Sequence, residues 1–237
     1  MEKETKVTTQ YKFVKQALIM AMFTASLMAI YEFAASALHF EMGMSIFDMS
    51  QYATNRSVPY NWALIICLTV SFPMVYLLYK EKGISFKEAI YQPKTLVRDV
   101  AIGILGAVIS TVLNGVWHFA IASQVKVPAN LPEVPFNGYN FALQIISLVF
   151  FSAFVKELIF RGFAMHMGAE VFGEFPSFLL FNLIFSVLDW MNFGSSFVGG
   201  CIWYLCYKKT RKLITPIVCH GVANLLGVVI GVFVLHM

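Results

Sequence analysis

The stretch FALQIISLVFFSAFVKELIFRGF, Phe141–Phe163, decides the fold. It is apolar and long enough to cross a bilayer, which takes about 20 residues. Yet it carries Lys156, Glu157 and Arg161 in its second half. In lipid an ionisable side chain costs on the order of several kcal/mol unless it finds a partner or water. Glu157 and Arg161 are four apart, so they share a helix face and are expected to pair. Lys156 stands one position earlier, about 100° round the helix, and is expected to point elsewhere. Gly162 follows, where a neighbouring helix can approach closely. Two further apolar segments carry the same kind of intrusion: Asp189 in one, His220 and Asn224 in the other. Three such segments call for one shared polar site inside a helix bundle.

Outward from this stretch the whole chain reads alike. Of 237 residues, 59% are hydrophobic and only 13% charged, and the mean hydropathy is +0.72. Soluble proteins carry about a quarter charged residues. The expected fold is all-α: a polytopic transmembrane helix bundle of about seven spans, in one integral membrane domain over residues 1–237. The candidate spans are Phe13–Leu38, Trp62–Tyr79, Val100–Ala122, Phe141–Phe163, Pro176–Trp190, Phe197–Tyr207 and Leu213–Leu235. The fifth and sixth are short, so they tilt, extend into their flanks or fail to cross.

The net charge of +4 sits in the loops and speaks for membrane orientation, with no call for a nucleic-acid partner. Lys3, Lys6, Lys12 and Lys15 precede the first span, and only Arg56 follows it. Lys80, Lys82, Lys87, Lys94 and Arg98 come next, then Lys126 alone. Lys208, Lys209, Arg211 and Lys212 follow the sixth span. By the positive-inside rule the N-terminus is cytoplasmic, and seven crossings put the C-terminus outside. Met1–Gln10 is polar and the apolar run after it is long, so no cleavable signal peptide is expected. Nor is a soluble C-terminal domain, since Met237 closely follows the last span.

Cys67, Cys201, Cys206 and Cys219 all lie in apolar segments and read as packing residues. Ile84–Tyr91 suits either a short helix at the cytoplasmic interface or a plain connector. Val127–Tyr139, with Pro128, Pro132 and Pro135, should be extended.

The motifs can now be placed side by side: Lys156-Glu157-Leu158-Ile159-Phe160-Arg161, then Phe185-Ser186-Val187-Leu188-Asp189, then His220-Gly221-Val222-Ala223-Asn224. Over about residues 145–230 this resembles the CPBP family, the CAAX-protease and bacteriocin-processing (Abi) membrane proteins. Their pattern is Glu-Glu-x-x-x-Arg, Phe-x-x-x-His, His-x-x-x-Asn. Phe160-Arg161-Gly162-Phe163, Gly199-Gly200 and Ile214-Thr215-Pro216-Ile217 fit the same context. The resemblance implies a site in which the first Glu activates a water and the two His and the Asn line the cavity. Those roles fall on Lys156 and Asp189 for the first Glu and first His, and on His220 and Asn224 for the rest, with Glu157 and Arg161 retained. The framework is kept and the chemistry is altered. A protonated Lys accepts no proton and repels a cation. Facing each other, Lys156 and Asp189 would neutralise one another as an ion pair. On a 1.5 Å rise, however, Asp189 lies about 20 Å from Pro176, too far outward for easy pairing.

Three functional readings follow. The first is a bacterial family member that no longer cleaves peptides and acts by binding another membrane or cell-envelope protein as regulator, scaffold or immunity-type factor. It would use Glu157, His220 and Asn224 only as remnants and hold no metal or cofactor. The second is an intramembrane endopeptidase with an altered site, with zinc if active. The third is a small transporter or lipid-binding protein, disfavoured by the lack of repeat symmetry. In each the chain is a multi-pass cell-membrane protein. Among other polar residues, Glu32 suits either the shared polar site or the outer interface, and His39 and His118 suit the outer interface. Asn182 and Gln144 suit interhelical hydrogen bonds. Ser195, Ser196, Gly199 and Gly200 suit close helix contact.

Overall fold

The computed structural model describes residues 8, 10–12, 14–22, 24, 58–122, 137–188 and 193–233. Glu32, His39, Asp189 and the proline-bearing loop up to residue 136 lie outside them. Among the described residues every element is helical. Helix α1 comprises residues 8, 10–12, 14–22 and 24. It is followed by α2 (Val58–Glu81), the short α3 (Phe86–Ile90), a 3-10 turn at Pro93–Thr95, and α4 (Leu96–Ala122). Then come α5 (Gly138–Phe172), α6 (Glu174–Leu188), α7 (Phe193–Thr210) and α8 (Ile214–Phe233). Each of the seven expected spans meets one of the long helices. Leu64–Glu81, Leu96–Trp117 and Gly138–Phe172 are long and apolar enough to cross a membrane, while Glu174–Val187 and Ile214–Ile230 are shorter apolar helices. The sixth expected span, Phe197–Tyr207, extends on both sides into α7.

Two elements depart from the sequence reading. Helix α5 runs 35 residues instead of stopping at Phe163. Asn137 caps its start, its side chain accepting from the amides of Tyr139 and Asn140, and Gly173 at φ 87° ends it. Gly162 does not terminate the helix. It admits a neighbour, since a Cβ there would collide with the Tyr79 hydroxyl and with Leu213. The second departure lies within α5, which is π-helical over Ile145–Ser152 and Leu158–Ala164. Ala153–Glu157 remains α-helical between them. Such π stretches are rare and concentrate at functional sites.

Side-chain contacts sort the helix ends into two groups. At one end Lys12 pairs with Glu81 at 3.0 Å, Lys82 with Glu170 at 2.9 Å and Arg211 with Glu174 at 3.0 Å. There too Lys212 Nζ donates to Glu88 O at 2.6 Å. At the other end Trp62 Nε1 donates to the Tyr139 hydroxyl at 3.0 Å, and Gly194 packs on the Trp117 ring. This is the up-and-down order that the alternating loop charges imply. Helix α3 belongs to the first end: Ser85 caps it, and Phe86 packs edge-on against Phe72 and Tyr79.

The core between the ends is aromatic, with Phe160, Phe163, Phe181, Phe185 and Trp203 buried. Outward-facing side chains such as Ile66, Leu77, Leu105 and Val112 are apolar as well. That is the pattern of a bundle solvated by lipid rather than water. Ser195, Ser196, Gly199 and Gly200 are buried on α7, so their close contacts fall within the fold. All four cysteines are free.

Candidate functional site

Glu157 and Arg161 form the expected pair, Arg161 Nη1 donating to Glu157 Oε1 at 3.1 Å. Both side chains are wholly buried. A guanidinium has five donors in a rigid fork, and α6 and α7 take up others. Arg161 Nη2 donates to Asn182 Oδ1 at 3.0 Å and to the Gly200 carbonyl at 3.2 Å. Asn182 in turn donates to Phe197 O at 3.0 Å, fixing its amide orientation. Only glycine fits at position 200, because a Cβ would run into Asn182 Oδ1 and Arg161 Nη2. The guanidinium also lies over the Phe185 ring at 4.5 Å and the Trp203 ring at 5.4 Å.

The same carboxylate oxygen reaches α8. His220 Nδ1 is 2.8 Å from Glu157 Oε1. The imidazole is stacked on Trp203, with ring centroids 3.9 Å apart and 14° between planes. Phe185 meets it edge-on at 6.0 Å. Glu157 Oε1 therefore serves Arg161 and His220 together, while Oε2 is buried with no hydrogen-bond partner.

Lys156 does not turn away as the helical wheel suggests. It is 8% exposed, and its ammonium lies 5.8 Å from the centre of the Phe185 ring that Arg161 also covers. The helix becomes π-helical directly after Glu157. Each residue there turns through a smaller angle, which brings Lys156 round toward the same aromatic wall.

Asn224 does not join Glu157. Its Nδ2 donates to the Leu148 carbonyl at 2.8 Å, in the first π-helical stretch, and one turn earlier Gly221 packs on the Val149 carbonyl. The structure thus gathers Lys156, Glu157, Arg161 and His220 around Phe185 and Trp203, and sets Asn224 on the backbone nearby. Sequence reasoning gave Asn182 only a generic hydrogen-bonding part and passed over Trp203. An amide set in the apolar α6 one turn before Phe185 was the available signal for the first. Nothing in the sequence marked the second.

Chemically, a carboxylate beside an imidazole can hold or pass a proton. A divalent cation is poorly served. Among the described residues no three His, Cys, Asp or Glu side chains converge on a point. The Glu157–His220 donor pair also has the Arg161 and Lys156 cations beside it, and those donors do not fit a zinc ion. No curated protein and no solved structure matches the chain. A family model does match, described as type II CAAX prenyl endopeptidase Rce1-like, over residues 138–226. That span runs from the first turn of α5 to the second half of α8 and holds the whole polar cluster. Over these residues the chain is similar to the Rce1-like type II CAAX prenyl endopeptidases.

Proposed function

We propose that this chain is a CPBP-type membrane protein that has lost peptide hydrolysis and acts by holding another membrane or cell-envelope protein. The observation that carries this reading is Lys156, an ammonium buried where the family pattern has its water-activating Glu. The neighbouring Glu157 supports it, since one of its oxygens is shared by Arg161 and His220 and so serves the scaffold. Lys156 and Asp189 replace their motif residues together, and we assign them to one another as a charge-neutralising pair. The donor set suits no resident metal, so the protein works without zinc. The basic helix ends face the cytoplasm.

A second reading, an endopeptidase with altered chemistry, draws on the 2.8 Å Glu157–His220 contact, which keeps a proton-carrying pair intact. One experiment separates them. The protein is purified in detergent with its co-purifying partner, as wild type and as His220→Ala. Each is tested for cleavage of a prenylated CAAX peptide and for zinc by elemental analysis. The expected result is no cleavage above blank, well under one zinc per chain, and unchanged partner recovery in the variant. Cleavage that disappears with His220→Ala while folding and partner recovery persist would establish the protease reading in its place.

A further inference from the structure

Beside the polar cluster, two cysteines from different helices meet against a third. Helix α4 has no side chain at Gly106. A Cβ built there would stand 2.5 Å from Cys206 Sγ of α7 and 2.8 Å from Cys219 Sγ of α8. The two sulfurs therefore crowd into the one gap that α4 leaves open. Cys206 Sγ is also 4.0 Å from the Ile102 carbonyl. Both thiols are free. Cys219 is wholly buried and Cys206 only partly so.

We propose that Cys206 and Cys219 form a reactive dithiol, a modification site that closes to an interhelical disulfide when a membrane-permeant two-electron thiol oxidant reaches it. Their place in the fold favours this. Cys206 is four residues from the end of α7 at Thr210, and Cys219 is five residues past the start of α8 at Ile214. Both then lie about 6–8 Å from the connecting turn on a 1.5 Å rise. A small reagent at the membrane boundary reaches the partly exposed Cys206 first, and the buried Cys219 resolves the adduct. With diamide, the Cys206 thiolate adds to one azo nitrogen and a proton goes to the other. The Cys219 thiolate then attacks Cys206 Sγ, the S–N bond breaks, and the leaving nitrogen takes the second proton. One S–S bond forms, and the azo group leaves as a hydrazine carrying both electrons and both protons. The bond would tie α7 to α8 beside His220, the residue after Cys219, and Trp203, one turn before Cys206. These are the residues whose rings stack.

The test uses the full chain in detergent. It is treated with diamide, denatured, and labelled with a polyethylene-glycol maleimide that adds one gel step per free thiol. Untreated protein should show four steps, one for each cysteine. Oxidised protein should show two, restored to four by dithiothreitol. Cys206→Ser and Cys219→Ser should each show three before and after oxidation. The Cys67→Ser, Cys201→Ser double variant should fall from two to none. Peptide mapping of the oxidised wild type should find the Cys206 and Cys219 peptides joined, which keeps the test sound if a variant fails to fold. Four steps after oxidation, joined peptides of any other pair, or a disulfide-linked dimer in place of the internal bond would overturn the proposal.

Discussion

Arg161 sets the energetics of the site. With its charge buried and shared among Glu157, Asn182 and Gly200 O, it is a buried ion of the kind whose lone removal costs about 3–5 kcal/mol. The loss comes from stranding Glu157 rather than from the strength of the bond itself. The same logic governs Lys156. If Lys156 and Asp189 are partners, Lys156→Ala strands a carboxylate and Asp189→Ala strands an ammonium. Each single change should lower stability by about 3–5 kcal/mol, and the double change should be milder than either. Melting temperatures of the four proteins in detergent measure this coupling, and strictly additive losses would show that the two charges do not meet. At this scale the sequence was legible where spacing alone sets geometry, as for Glu157 and Arg161 four apart. It was illegible where partners come from distant helices. No rule of spacing brings Trp203 over His220 or gives Asn182 to Arg161.

Helix α5 explains why the spacing rules failed locally. A helical wheel assumes one turn angle throughout, and α5 abandons it on both sides of Ala153–Glu157. A π-helical turn bonds i to i+5 instead of i to i+4, and Asn224 donates to one carbonyl of that stretch, at Leu148. Asn224 therefore reads as a backbone clamp in this chain, although its motif position suggested a residue lining the site. Asn224→Ala should cost about 1 kcal/mol, the usual net worth of one hydrogen bond. It should also speed amide exchange within Ile145–Ser152 while leaving α4 unchanged, as hydrogen-exchange mass spectrometry in micelles would report. Uniformly faster exchange across α4 and α5 would instead mean that the residue only supports global stability. Gly162, by contrast, was legible: a close neighbour was expected there, and Tyr79 approaches it from across the bundle.

For the whole molecule, the fold class was the most legible property, because lipid demands long apolar helices and the loop charges alternate sharply. The contacts between helix ends match that alternation: Lys12 reaches Glu81, and Lys82 reaches Glu170. Reporter fusions should find the N-terminus on the cytoplasmic face and the C-terminus on the opposite one. Cytoplasmic activity at both ends would require an even number of crossings. Asp189, whose depth decides its pairing with Lys156, lies outside the described residues; with α5 continuing to Phe172, Phe185 on α6 comes level with Phe160 and Arg161.

At 35 residues, α5 would measure about 52 Å as a regular α-helix; its π-helical stretches shorten it, yet it still exceeds a hydrocarbon core of about 30 Å. Its last turns bear His166 and Glu170, which is joined to Lys82, and these groups seek the headgroup layer. That anchors the helix like a float with a fixed waterline. Glu157 then hangs at most about 14 Å below His166, and it keeps that draught whether the surrounding bilayer is thick or thin. At that depth the charges of Glu157 and Arg161 are wholly enclosed, so they are met by protein partners and not by headgroups or water.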